Sequence, residues 1–212
     1  MQAITDIKHL TVQTLPPILV LTGEDVGQFE WLKKDILKKI GYDPSDLNYS
    51  YFDMKEASYA EVELDLVSLP FFADEKIVIL DHLLDLTTAK KRNLTDEDLK
   101  QFENYLENPS ESTRLVIFAE GKLDSKRRLV KLLKRDAQII EATTPKEQDL
   151  KRYFASQAQE LGLQFVGDSL DQLLLKSGYD FGELQKNLAL LQAYKEDGQI
   201  TLQDIKEVVP KS

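Results

Sequence analysis

Over the first two thirds of the chain, short uninterrupted apolar runs alternate with longer stretches in which apolar residues return every three or four positions. Ile18-Leu19-Val20-Leu21 follows Pro16-Pro17 and stops at Thr22-Gly23, which predicts a buried strand entered from a loop. From Gly27 to Ile40, Phe29, Leu32, Ile36, Leu37 and Ile40 recur at helical spacing. Lysines 33, 34, 38 and 39 take the other face and the last turn, where cations suit the helix dipole, and Gly41 is a stop signal. Tyr49 to Phe52 reads as a second strand. Ser58 caps a helix through Val67, with Glu61 at the reciprocal capping position. Lys76-Ile77-Val78-Ile79-Leu80-Asp81 is the clearest strand, and its continuity implies burial on both faces. Thr95 and Asp98 open a helix that runs through Leu106 and ends at Asn108-Pro109. Arg114 to Ala119 is a fourth strand, Ser125 to Arg135 a basic amphipathic helix, and Gln138 to Glu141 a fifth strand.

Strands separated by helix-length segments require right-handed crossovers, so the predicted fold class is α/β with a parallel five-stranded sheet flanked by helices. After Ala142-Thr143-Thr144-Pro145 the pattern contains only helices: Lys146 to Leu161, Ser169 to Lys176, Phe181 to Lys195 and Leu202 to Val208. Gly162, Gly178 and Gly198 punctuate them. The expected division is an α/β domain over 1–142 and a small all-helical domain over 143–212. The segment Thr87 to Asn93, with Lys90-Lys91-Arg92, is expected to be a mobile surface loop.

Composition narrows the chemistry. Hydrophobic residues make up 42% and charged residues 30%, a core-forming balance that excludes disorder over the whole chain. The net charge of −10 argues against a protein whose main task is gripping nucleic acid alone, and leaves a local basic face open. With no cysteine, thiol catalysis and cysteine-ligated zinc are excluded. The two histidines, His9 and His82, do not make a histidine-rich metal site, and neither stands in a catalytic constellation. No apolar run spans a bilayer, and the first residues lack a secretory signal pattern, so no membrane association and a cytoplasmic location are expected.

The first strand, its glycine turn and the following helix invite comparison with a phosphate-binding P-loop. Counting from Gly23, the second glycine position holds Gln28, and Phe29 and Glu30 stand where Lys and Ser/Thr are needed. Glu24 and Asp25 add negative charge where backbone amides should meet an anion. Ordinary nucleotide binding is therefore not expected, and no cofactor is predicted. Asp81 resembles the magnesium-holding acid of a Walker B strand, but His82 follows it, and the simpler reading is an acid that closes a buried strand.

Two surface features remain. Ser68-Leu69-Pro70-Phe71-Phe72-Ala73-Asp74-Glu75 joins a helix to a strand and carries three large apolar residues on a proline-restricted connector. They either tuck beneath the sheet as satellite core or project as a plug for a partner's pocket, where each buried side chain contributes roughly 1.5–3 kcal/mol. The second feature is the basic cluster of Lys122, Lys126, Arg127, Arg128, Lys131, Lys134 and Arg135, interrupted by Asp124. It is either a solvated helix face or a contact for DNA or an acidic neighbouring subunit.

These pieces, in order, resemble the delta subunit of bacterial DNA polymerase III, a clamp-loader subunit. The resemblance rests on Gly23-Glu24-Asp25, Ser68 to Ala73 before the strand Lys76 to Leu80, Tyr105-Leu106-Glu107-Asn108-Pro109, Arg114 to Phe118 and Gly121-Lys122-Leu123-Asp124, and it spans essentially the whole chain. It implies an AAA+-like α/β domain followed by a helical lid. It also implies no ATP hydrolysis by this subunit, and a clamp-binding element at Leu69, Pro70, Phe71 and Phe72. The implied partners are the sliding clamp (beta subunit), the gamma/tau and delta prime subunits, and DNA through the assembled complex, with no homo-oligomer. Members of this family continue into a third, helical collar domain, which is expected to be absent here because the sequence ends at Val209-Pro210-Lys211-Ser212. A weak NTPase of the same fold, and an adaptor for another replication or repair partner, are the alternatives.

Overall fold

The computed structural model describes residues 1–210. Contacts divide these into two compact units, one covering Gln2–Thr143 and one beginning at Thr144. The last two residues of the expected helical domain, Lys211 and Ser212, lie outside the described residues.

The first unit is a parallel five-stranded sheet in the order β2-β3-β4-β1-β5. Its strands are β1 (Ile18–Gly23), β2 (Tyr49–Asp53), β3 (Lys76–Asp81), β4 (Thr113–Glu120) and β5 (Gln138–Ala142). β1 lies between β4 and β5, with Ile18 opposite Leu115 and Leu19 opposite Gln138. All six residues of β1 and of β3 are buried, whereas edge strand β2 is half-buried throughout. The pleat sends alternate side chains to two cores. Val20, Val78, Leu80, Leu115 and Ile117 pack with α3 (Tyr59–Val67), α4 (Asp96–Glu107) and α5 (Arg128–Asp136). Leu19, Leu21, Ile77, Ile79, Val116 and Phe118 pack with α1 (Gln2–Asp6) and α2 (Val26–Lys39). Both predicted capping boxes form: Ser58 with Glu61 on α3, and Thr95 with Asp98 on α4.

Two local expectations need correction, and one element was not foreseen. The basic helix begins at Arg128 rather than Ser125, because Asp124 folds the preceding residues into a turn. Its side chain accepts from the Lys126 amide (3.1 Å), and its carbonyl accepts from the Arg127 amide (3.1 Å). The segment expected as a mobile loop is anchored at both ends. Thr87 is buried and bridges to Leu123, and the fully buried Asp85 accepts from the amides of Asn93 and Leu94 at 3.0–3.1 Å. Short α1 had no periodic signal; the Lys39 ammonium holds the chain just beyond it through the Ile7 carbonyl, 2.8 Å away.

The second unit is helical, with α6 (Glu147–Glu160), α7 (Ser169–Lys176), α8 (Phe181–Tyr194) and α9 (Leu202–Val208). Its core centres on Phe154 and Phe181, whose rings lie 5.5 Å apart. The helices-only expectation misses one parallel pair, β6 (Gln164–Phe165) with β7 (Gln199–Ile200). Gly198 permits it: a Cβ there would lie 2.3 Å from the Gly162 carbonyl oxygen, and its φ of +71° favours glycine. Two residues per strand are too few to show alternation.

Candidate functional site

The C-terminal end of α3 builds the most exposed apolar surface of the first unit. Tyr59, Val62 and Leu66 face the core, with the Tyr59 ring 5.6 Å from that of Phe102. One helical step away, Leu64 and Val67 are exposed. The backbone leaves the helix at Ser68 in an extended conformation (ψ 147°), and Pro70 in turn disfavours a helical backbone at Leu69. Leu69, Phe71 and Phe72 then stand 75%, 89% and 73% exposed, so the satellite-core alternative fails. The two phenylalanine rings touch each other, with centroids 6.3 Å apart. Pro70 is half-buried at the turn. Leu64 and Val67 extend the patch beyond the predicted segment; their spacing was visible in the sequence, but their exposure depended on which face of α3 the sheet covers.

At the carboxyl ends of the strands, where open α/β sheets hold ligands, the degenerate glycine turn is closed by the protein itself. The Asp25 side chain caps α2 by accepting from the Gln28 amide (2.8 Å). A Cβ on Gly23 would meet the Ala142 backbone at 2.3 Å. Asp81 is buried, and its carboxylate is engaged from three sides. The Lys33 ammonium on α2 lies 2.5 Å from Oδ2, the Tyr51 hydroxyl donates to the same oxygen, and the His82 amide donates to Oδ1 (2.8 Å). Burial, and then the bond to Asp81, push the Tyr51 hydroxyl well above the ordinary tyrosine pKa. The His82 ring, on a residue with φ of +55°, meets Asp53 Oδ1 at 2.9 Å. Asp53 is held below the usual carboxylate range by the Lys55 amide and then by His82. Asp81 thus has an internal cation at the position where a Walker B acid would hold magnesium. Sequence reading missed Lys33 and Tyr51, because only the crossovers bring them to Asp81.

The amino ends of the strands carry two cavities of about 340 and 190 Å³. Both are bordered by the paired Arg114 and Glu75, whose side chains meet at 2.7 and 3.1 Å. Arg114 holds Glu75 below the usual carboxylate range and also donates to the Leu15 carbonyl.

The basic cluster is partly neutralised. Arg127 pairs with Asp124 (3.3 Å), Arg128 with Glu103 and Glu107 of α4 (3.8 and 3.5 Å), and Arg135 with Glu107 and Asp136 (3.4 and 2.8 Å). The Lys134 ammonium reaches the Ser125 hydroxyl (2.7 Å). Lys122, Lys126 and Lys131 are exposed and form no ion pair among the described residues. Of the seven basic residues of the cluster, these three and Lys134 have no acidic partner among the described residues.

Comparison with known proteins agrees with this architecture. The family model described as DNA polymerase III, delta subunit, matches residues 19–143. The DNA polymerase III subunit delta of Bacillus subtilis (strain 168) is 27% identical over 211 residues. The match covers 97% of this chain and 60% of that protein, so the chain spans about three fifths of its relative's length. Among solved structures, the Bacillus subtilis DNA clamp loader delta protein is similar with a TM-score of 0.68 and 23% identity, over 100% of this chain and 62% of that one. A RuvB variant of Thermotoga maritima has a TM-score of 0.53 and 10% identity, over 89% of this chain and 60% of that one. These structural likenesses establish an AAA+-like α/β fold with a helical part after it. With the family model covering more than half of its residues, the chain belongs to the DNA polymerase III delta subunit family.

Proposed function

We propose that this chain is the clamp-engaging part of a clamp loader and acts by binding rather than by catalysis. The observation that carries the reading is the exposed patch of Leu69, Phe71 and Phe72 on the Pro70 turn, continued by Leu64 and Val67. Phe71, Phe72 and Leu69 enter an apolar pocket on the ring-shaped sliding clamp (the beta subunit), and α3 lies against the clamp surface. Opening follows if the chain binds the open ring more tightly than the closed one, since equal affinity for both shifts nothing. The motor for loading lies in other subunits, of the gamma/tau and delta prime type. In this chain the glycine turn lacks its phosphate-binding residues and Asp81 is paired with Lys33. DNA is reached through the assembled cytoplasmic complex, with Lys122, Lys126 and Lys131 among the exposed cations of this unit that form no ion pair within the described residues.

The test is titration of the chain with the sliding clamp of its source organism, beside the Phe71→Ala/Phe72→Ala variant. Both rings are largely in water in the free chain, so their loss leaves the unfolding midpoint unchanged. Their burial on binding is worth several kcal/mol before ordering costs, so clamp affinity should fall by at least about tenfold. Equal affinity of variant and parent would refute the assignment. Millimolar ATP with magnesium should leave the melting temperature unchanged, because only a bound ligand stabilises the folded state.

A further inference from the structure

Lys76 opens the buried strand β3, is followed there by four apolar residues, and is itself only 6% exposed. A lysine there loses its hydration, and an apolar residue would suit the core. Its side chain runs back to the last turn of α3. The ammonium donates to the Asp65 carbonyl, to Asp65 Oδ1 (3.0 Å) and to the Ser68 hydroxyl (2.9 Å). An ammonium has three donors, and each finds an acceptor at the root of the exposed segment. The position also places a cation at a helix C-terminus, where the dipole favours it.

Neighbouring groups complete the fastening. The Ser68 amide donates to the Leu64 carbonyl (3.2 Å), the Thr113 hydroxyl to the Leu66 carbonyl (3.2 Å), and the Lys76 amide to the Ser112 carbonyl (2.9 Å). Ser68 precedes the apolar segment and Lys76 follows its return, so one ammonium closes the loop between them. Leu69, Phe71 and Phe72 at the tip receive no comparable support and stand in solvent. The loop therefore has a polar, fully bonded stem and an apolar, exposed tip.

We propose that Lys76 is a positioning residue for the apolar tip, holding it in its binding geometry before the partner arrives. The proposal rests on the clamp-binding reading for its purpose, but the fastening itself is separately measurable. A loop fixed in advance avoids the ordering cost that a loose loop bears on association. Lys76→Met keeps the buried stem of the side chain and removes the ammonium.

The experiment compares the chain with its Lys76→Met variant by clamp titration and by amide hydrogen exchange. The expected result is clamp binding weaker by about three- to tenfold. Exchange should be faster at the hydrogen-bonded amides of positions 68 and 76, which donate to Leu64 and Ser112, while β1 and β4 keep their protection. In the Phe71→Ala/Phe72→Ala background, Lys76→Met should make no further difference to binding. Ser68→Ala removes one acceptor and Asp65→Asn the anionic charge, both from the more exposed side, and they should act in the same direction should Lys76→Met fold poorly. Unchanged clamp affinity in all three variants, with the parent binding well, would overturn the positioning role and leave the clamp reading standing. If the parent itself does not bind, the clamp reading fails. Exchange at the bonded amides of positions 68 and 76 then decides the fastening alone: unchanged rates overturn it and raised rates uphold it.

Discussion

Replacing Lys33 by methionine tests whether the Asp81 network is an internal ion pair that the fold depends on. The Lys33 side chain is 14% exposed and Asp81 5%, with their charged atoms 2.5 Å apart. Methionine preserves the contact with the Phe118 ring, over which the ammonium now lies at 5.7 Å. Breaking a buried pair from one side costs about 3–5 kcal/mol, because the remaining charge is left without its partner. Asp81 keeps the Tyr51 hydroxyl and the His82 amide, which puts the cost at the low end, about 3 kcal/mol. The double variant Lys33→Met/Asp81→Asn removes both charges; the amide oxygen accepts from the His82 amide, and the Tyr51 hydroxyl turns to accept from the new NH2 group. It should lose only about 1 kcal/mol and be more stable than the single variant. Trp31 is the chain's only tryptophan and sits on α2, two residues from Lys33, so its fluorescence follows the first unit during urea unfolding. With a slope of about 1–3 kcal/mol per molar urea, Lys33→Met should lower the midpoint by about 1–3 M. A double variant that loses the sum of the two single effects would refute the pairing, as would a midpoint untouched by Lys33→Met.

Other outcomes follow from the same geometry. Gly198→Ala should destabilise the second unit by about 2–4 kcal/mol, since its Cβ meets backbone at 2.3 Å. Gly178→Ala, with no atom within 4 Å of its Cβ, should lose only about 1–2 kcal/mol from its positive φ; thermal circular dichroism of both variants checks the difference. Glu75 has its folded pKa lowered by Arg114, so its stabilising share is complete above the unfolded glutamate value and is lost as pH falls through the lower folded value. Glu75→Gln should therefore flatten the acid limb of the urea midpoint below about pH 4, with no change in slope near neutrality.

The sequence made local features legible and left lateral ones hidden. Ser58 with Glu61, and Thr95 with Asp98, each act within one turn, so their spacing alone marked the helix starts. The continuous apolar runs of β1 and β3 announced strands covered on both faces. The missing phosphate-binding residues after Gly23 were equally plain. The Lys33–Asp81 pair and the grip of Lys76 on Asp65 and Ser68 arise only when crossovers bring separate elements together. Neither has a spacing rule. The fate of Phe71 and Phe72 was undecided for the same reason: an apolar pair in a connector carries no mark of whether the chain turns inward or outward. On α5, the split between paired arginines and open lysines is set by Glu103 and Glu107, which α4 contributes from the side.

The place of β1 between β4 and β5 has a consequence for synthesis. Its first partner, Leu115 opposite Ile18, lies nearly a hundred residues downstream. At about 5–20 residues per second, the ribosome takes roughly 5–20 s to deliver β4 after β1 has been made. Through that interval Ile18-Leu19-Val20-Leu21 has no strand to pair with and no completed sheet to cover it. Meanwhile β2 and β3, whose register runs from Tyr49 opposite Ile77, can join much sooner. The nascent chain thus assembles one edge of its sheet while the interior strand β1 waits, and that waiting strand is the point at which a holding chaperone would matter most.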